Sequence, residues 1–155
     1  MGFMEVAQPG PTQEERSLAT LAHVLQIVGW WIAPVIIFAI KRESRFVSFH
    51  ALQALLLQIG YILLFIVLAV FFFLAMLVGI AHHPPQPHGP PPAFVFVFPL
   101  VWVGVMGLWV VMIVLAIVYG IKAGRGEWAE YPLVGSLARK LLGLGPGGSP
   151  LQRSQ

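Results

Sequence analysis

The chain predicts an all-α integral membrane fold, and three observations carry that prediction. Three apolar runs, Ser17–Ile40, His50–Ala81 and Ala93–Ile121, contain no Asp, Glu, Lys or Arg. At about 1.5 Å of rise per residue, each run as a helix reaches across the ~30 Å hydrocarbon core of a bilayer. The composition agrees: 58% of the 155 residues are hydrophobic and 10% are charged, too little polar surface to cover a soluble globule of this size. In lipid only helices and closed barrels satisfy every backbone polar group, and runs this long and unalternating do not suit barrel strands. The expected architecture is three transmembrane helices plus a short C-terminal interfacial helix.

Residues 1–11 read as a mobile polar arm with Pro9, Gly10 and Pro11. Three glutamates against one Arg16 before the first run do not make a secretory signal, so the run is expected to be a retained anchor. Thr12-Gln13-Glu14-Glu15 has the capping-box form and starts the single helical membrane domain, residues 12–142. The first helix is expected to run from there to Ile40, spanning over 17–40, with a kink near Trp30–Pro34 because Pro34 removes a backbone donor. A second helix from Phe46 to Ile80 exceeds the apolar thickness, which places its opening at the headgroups and its span at about 54–81. Six of the eleven residues in His82–Pro92 are proline, so this link is expected to be extended. The third helix, spanning 93–121, ends at Lys122 and Gly124. Pro132 suits the first turn of a last helix, Leu133–Leu142, with Leu133, Val134, Leu137 and Leu141 on one face and Ser136, Arg139 and Lys140 opposite. Residues 143–155 have the composition of a disordered tail.

Lys and Arg fall unevenly: one before the first run, three in the first link (Lys41, Arg42, Arg45), none in the proline-rich link and five after the third run. The positive-inside rule puts the first link and the C-terminus in the cytoplasm and residues 82–92 outside. Three spans then place the N-terminus outside. The competing topology folds the first run back at Gly29–Pro34 as a re-entrant hairpin and leaves the N-terminus inside. The two differ at one pair: only the hairpin lets His23 meet His50. The net charge of +3 sits beside the ends of apolar runs, which fits anionic headgroups and not nucleic acid.

No catalytic constellation is expected. Asp and Cys are absent, all six Glu lie outside the apolar runs, and no glycine-rich loop carries a nucleotide-binding lysine. No metal or other cofactor is expected, since His82, His83 and His88 lie among prolines that fix no ligand geometry. The polar residues within the runs are His23, Gln26, His50, Gln53 and Gln58. They are costly in lipid unless paired, so they face protein or water, either as interhelical hydrogen-bond contacts or as the lining of a path. Ala116, Gly120 and Gly124 recur every fourth residue, a row that lets a neighbouring helix approach closely.

Two stretches carry a resemblance. Lys41-Arg42-Glu43-Ser44-Arg45-Phe46-Val47-Ser48-Phe49-His50-Ala51-Leu52-Gln53-Ala54, and Lys122-Ala123-Gly124-Arg125-Gly126-Glu127-Trp128 with Tyr131-Pro132, resemble two motifs of the Tic-twenty-like family of small bacterial membrane proteins, domain of unknown function 4870. The likeness covers about Glu15 to Leu142 and implies a multi-span protein of a bacterial plasma membrane. Both stretches fall on the expected cytoplasmic side, so Arg45, Phe46, Phe49, His50, Lys122, Glu127, Trp128, Tyr131 and Pro132 are expected to form one cluster there. Glu43 or Glu127 is expected to pair with Arg45, Lys122 or Arg125. The expected role is a non-enzymatic scaffold or accessory subunit whose partners are the lipid bilayer and another protein or further copies. The alternative is an oligomeric transporter, channel or translocation-related subunit that uses the five His and Gln residues.

Overall fold

A computed structural model describes residues 10–82, 94–145 and 148. It contains five α-helices: α1 Gln13–Gly29, α2 Ile32–Ile40, α3 Arg45–His82, α4 Phe94–Gly124 and α5 Val134–Leu142. Two of them, α3 and α4, are long and apolar enough to cross a membrane. The first apolar run, expected as one spanning helix over 17–40, is instead divided between α1 and α2.

The run breaks at Trp30–Trp31, where Trp30 adopts φ 52°, a left-handed conformation that ends α1 directly after Gly29. Pro34 does not kink a continuing helix. It sits in the first turn of α2, where its missing N–H has no intrahelical partner to lose. The chain then folds back, so that Ala22 of α1 packs against Ile37 of α2. At the open end of this hairpin Lys41 Nζ lies 2.7 Å from Glu14 Oε1, and the Ser44 hydroxyl donates to Glu15 Oε1 at 2.6 Å. The capping box is complete, with Thr12 N donating to Glu15 Oε2 (2.7 Å) and Glu15 N to Thr12 Oγ1 (3.2 Å). The Ser44 hydroxyl and the Thr12 amide hold the Glu15 carboxyl below its ordinary 4.5.

The described residues divide into two compact units. The first draws on Met1–Leu57 and Leu115–Gln155 and holds the hairpin, the opening of α3, the end of α4 and α5. Its interior is three small clusters: Ala22, Ile37, Val47 and Ala51; Ala19, Phe46 and Ala123; and Phe49, Ala138 and Leu144. The second unit, Gln58–Val114, is the remainder of α3 and α4. In it the Tyr61 hydroxyl donates to Val105 O at 3.4 Å and Phe72 packs on Phe98 with centroids 5.3 Å apart. Its outward residues, such as Val67, Phe71 and Val103, are apolar and exposed, as a lipid-facing surface requires.

The last helix starts one residue later than expected. Leu133 caps it with φ 70°, and Pro132 lies outside the helix with its carbonyl accepting from Val134 N at 2.9 Å. At the other end Gly143 takes the left-handed conformation (φ 61°) that glycine adopts without penalty, and Leu144 N closes on Arg139 O at 3.0 Å. Leu133, Leu137 and Leu141 are exposed along one row, while Gly135 and Ala138 face the protein.

Candidate functional site

Four of the five polar residues singled out in the apolar runs meet in the first unit. Folding the first run back at Trp30–Trp31 places His23 and Gln26 of α1 beside the opening of α3 and the segment that follows α4. His23 Nε2 and His50 Nδ1 are 3.0 Å apart. His50 Nε2 lies 3.1 Å from the carbonyl of Glu127, the Tyr131 hydroxyl 2.8 Å from His23 Nδ1, and Gln26 Nε2 3.2 Å from the Tyr131 oxygen. All four side chains are buried.

Hydrogen counting gives this chain a single direction. A carbonyl only accepts, so His50 carries its proton on Nε2 and offers a lone pair at Nδ1. His23 then donates from Nε2 and accepts at Nδ1, which makes Tyr131 the donor to His23. The Tyr131 oxygen is left to accept from Gln26. The chain therefore reads Gln26 to Tyr131 to His23 to His50 to Glu127 O, with one donor and one acceptor at each link. Its cost appears at the far end: Gln26 Oε1 is a buried polar atom without a partner. Burial pushes the Tyr131 hydroxyl well above the ordinary range of a phenol, consistent with its role as a neutral donor.

Gln53, one turn beyond His50, ties the same segment by its backbone. Its Oε1 accepts from Tyr131 N at 2.7 Å and its Nε2 donates to Ala129 O at 3.2 Å. A segment without secondary structure would otherwise bury unpaired backbone groups. Gln58 belongs to the second unit and takes no part in this network.

Aromatic rings pack around the imidazoles. Trp128 sits edge-on to Phe46 (centroids 5.2 Å, 85°) and tilted on Phe49 (5.4 Å), while Phe46 and Phe49 flank His50 at 4.6 and 5.3 Å. Tyr119 of α4 packs on Tyr131 at 4.3 Å. The cluster expected from the two motifs thus shares one place for Phe46, Phe49, His50, Trp128 and Tyr131. Its charged members stand apart from the pairings expected of them. Lys122 Nζ lies over the Tyr119 ring at 5.2 Å, and Glu127 contributes its backbone carbonyl. The ion pairs among the described residues are Lys41–Glu14 and Arg139–Glu130, and Arg45 joins neither.

The small row of α4 faces α1. A Cβ on Gly120 would lie 3.4 Å from Val24 Cγ2, and one on Gly124 3.1 Å from Thr20 Oγ1. Thr20 Oγ1 sits 3.0 Å from Gly120 O and 2.9 Å from Arg16 O, so its single proton serves one carbonyl or is shared between them. Ala116 is fully buried one turn earlier.

Sequence reasoning did not single out Tyr119, Thr20 or Gly135, and it named Arg139 only on the polar face of the last helix. Gly135 is required by close approach, because a Cβ there would lie 2.6 Å from Glu130 Cβ and 2.9 Å from Gln53 Oε1. Arg139 bonds Glu130, reaches Gly145 O at 2.6 Å and covers the Phe49 ring at 5.1 Å. Among the described residues no group of three or more His, Cys, Asp or Glu is placed to hold a metal ion. His82 Nδ1 bonds Val78 O at 3.0 Å, and His83 and His88 lie outside the described residues.

A fold with two apolar helices of spanning length, and a buried polar tie at one end of them, defines a helical membrane protein. A family model matches residues 14–138, and the chain belongs to that family, the MamF/MmsF magnetosome magnetite crystal formation proteins. This corrects the likeness drawn from the two motifs: the matching family is the magnetosome one and not the Tic-twenty-like one. No curated protein and no solved structure matches the chain.

Proposed function

We propose that this protein is a non-enzymatic scaffold or accessory subunit of a membrane complex, serving the process its family is named for, magnetite crystal formation in magnetosomes. The observation that carries the reading is the one-way hydrogen-bond chain, which ends on the Glu127 carbonyl. A carbonyl has no proton to pass on, so the chain is an anchor joining α1, α3 and the segment after α4. A conduit through His23, Gln26, His50, Gln53 and Gln58 would need an open far end and a route through Gln58, which stands outside the network.

The distribution of acid supports the same role. Residues 46–126 contain no Asp or Glu, so the link between the two spanning helices offers no carboxylate to a cation or a mineral face. The protein's contribution is then made through assembly in its membrane. Its partners are lipid and other protein chains, a second copy included. We place its N-terminus, first link and C-terminus together on the cytoplasmic side, where the Lys and Arg excess lies, with residues 83–93 on the opposite side.

The test is complementation of a deletion strain, with crystal size and shape read by electron microscopy. Gly120→Leu, which separates α4 from α1, should fail to restore normal crystals. His50→Gln, which keeps an amide donor and acceptor but loses the titrating ring, should restore them wherever the protein accumulates normally. A stable His50→Gln protein that fails, or cation flux through the purified protein in liposomes, would favour the transport reading instead.

A further inference from the structure

The α1–α2 hairpin has the dimensions and polarity of an insert into a single leaflet. Its charged residues, Glu14, Glu15, Arg16, Lys41, Arg42 and Glu43, all lie at the open end, and the Lys41–Glu14 pair closes that end. From Leu18 to Gly29 the first arm is about 18 Å long, and α2 about 14 Å, each close to half of the ~30 Å apolar core. Neither arm is able to cross. The outward side chains of both arms are apolar: Leu21, Leu25, Val28, Ile32, Ile36 and Ile40 are all exposed, Val28 to 84%. The polar residues His23 and Gln26 are instead turned inward and buried. The tip carries Trp30, held at φ 52° and itself exposed. A strained backbone that presents a large apolar ring outward is doubly unfavourable in water, and the second penalty disappears among acyl chains.

We propose that this hairpin is a lipid wedge: the occupant of its outer faces is the acyl region of one leaflet, and the protein therefore prefers membranes that curve away from that leaflet. Helices α3 and α4 displace lipid from both leaflets, whereas the hairpin displaces it from one. The leaflet entered by the hairpin gains area relative to the other, which favours convex curvature on that side. The inference requires only that the protein resides in a bilayer. It does not depend on the scaffold reading, and its failure would leave that reading intact.

The test uses the full chain, which has no cysteine of its own. Glu43→Cys protein is reconstituted into giant vesicles of zwitterionic lipid and labelled with a membrane-impermeant dye, so that only molecules whose hairpin enters the outer leaflet are seen. Tubes are then drawn outward and the dye density in tube and vesicle compared. The wedge predicts severalfold enrichment in narrow tubes, rising as the radius falls, and loss of that enrichment in Glu43→Cys/Val28→Lys, whose tip carries a charge. Equal density in tube and vesicle would overturn the proposal, as would undiminished enrichment of the Val28→Lys protein. Should Val28→Lys not insert, a second measurement decides. Gln13→Cys and Glu43→Cys, each alone in the otherwise native chain, must label from the same side in sealed vesicles, and labelling from opposite sides would mean that the first run crosses the membrane.

Discussion

Tyr131→Phe isolates the hydrogen-bond chain from everything packed around it. The phenylalanine keeps the ring contacts with Tyr119 at 4.3 Å and with His23 at 5.1 Å, and removes one oxygen. That oxygen donates to His23 Nδ1 and accepts from Gln26 Nε2, so two buried groups lose their partner at once. An unpaired buried polar group costs about 1–3 kcal/mol, while hydrogen bonds between membrane helices average nearer ~0.6 kcal/mol. Two of them together give about 1–6 kcal/mol, which at about 2–4 °C per kcal/mol for a chain of this size is a fall in Tm of at least a few degrees. The assay is thermal unfolding in detergent or nanodiscs, with Tyr119→Phe as the control. Tyr119 is only half-buried, and its hydroxyl takes no part in the chain. Nitrogen-15 spectra of labelled histidine supply a second readout, in which His50 should keep its proton on Nε2 in both proteins. Equal stability of Tyr131→Phe and Tyr119→Phe, or a His50 proton found on Nδ1, would refute the assigned direction.

Other substitutions probe the packing around that chain. Gly120→Leu should destabilise the protein far more than Ile117→Ala, because Gly120 abuts Val24 and His23 whereas Ile117 is exposed; melting curves of the two compare them directly. Gly135→Ala should lower Tm despite the better helix propensity of alanine, since the added methyl would lie within 3.0 Å of both Glu130 and the Gln53 amide oxygen. Trp128→Ala, which empties the space between Phe46 and Phe49, should cost about 3–5 kcal/mol and raise hydrogen exchange at the foot of α3. The carboxyl of Glu15 is held below its ordinary 4.5, so its contribution is present above that value and is lost as pH falls through the lower folded value. Glu15→Gln should therefore flatten the stability profile below about pH 4.5 and leave the slope near neutrality unchanged, as read by unfolding at a series of pH values.

How much of this was legible in the sequence depends on which residues carry it. Helices α3 and α4 follow from charge-free runs that only a bilayer or a large core accommodates. The start of α1 follows from Thr12 and Glu15, whose side chains recognise each other three residues apart whatever the tertiary fold. The Phe46, Phe49 and Trp128 rings were placed near each other by two motifs at the charged ends of two helices, and they do meet. The break at Trp30 was not legible in the same way. Hydropathy records how apolar a stretch is and not which way the chain runs through it, so a span and a hairpin of equal length read alike. What separates them is the partnering of His23 and Gln26. Had α1 continued straight to Ile40, His23 would have lain on the opposite side of the membrane from His50, and Gln26 out of reach of Tyr131. Both polar side chains would then have been left in lipid at a cost that the folded-back arrangement avoids. Gly29 and Pro34 permit the turn, one as a weak helix residue and the other as a first-turn residue of the next helix. The two histidines and the tyrosine supply the reason to make it. The same dependence accounts for Gly135 and Arg139, which look like ordinary residues of a short amphipathic helix until Gln53 and Glu130 are brought against them. Their roles are set by neighbours that the hairpin and the segment after α4 place there, and single-sequence periodicity contains no record of such neighbours.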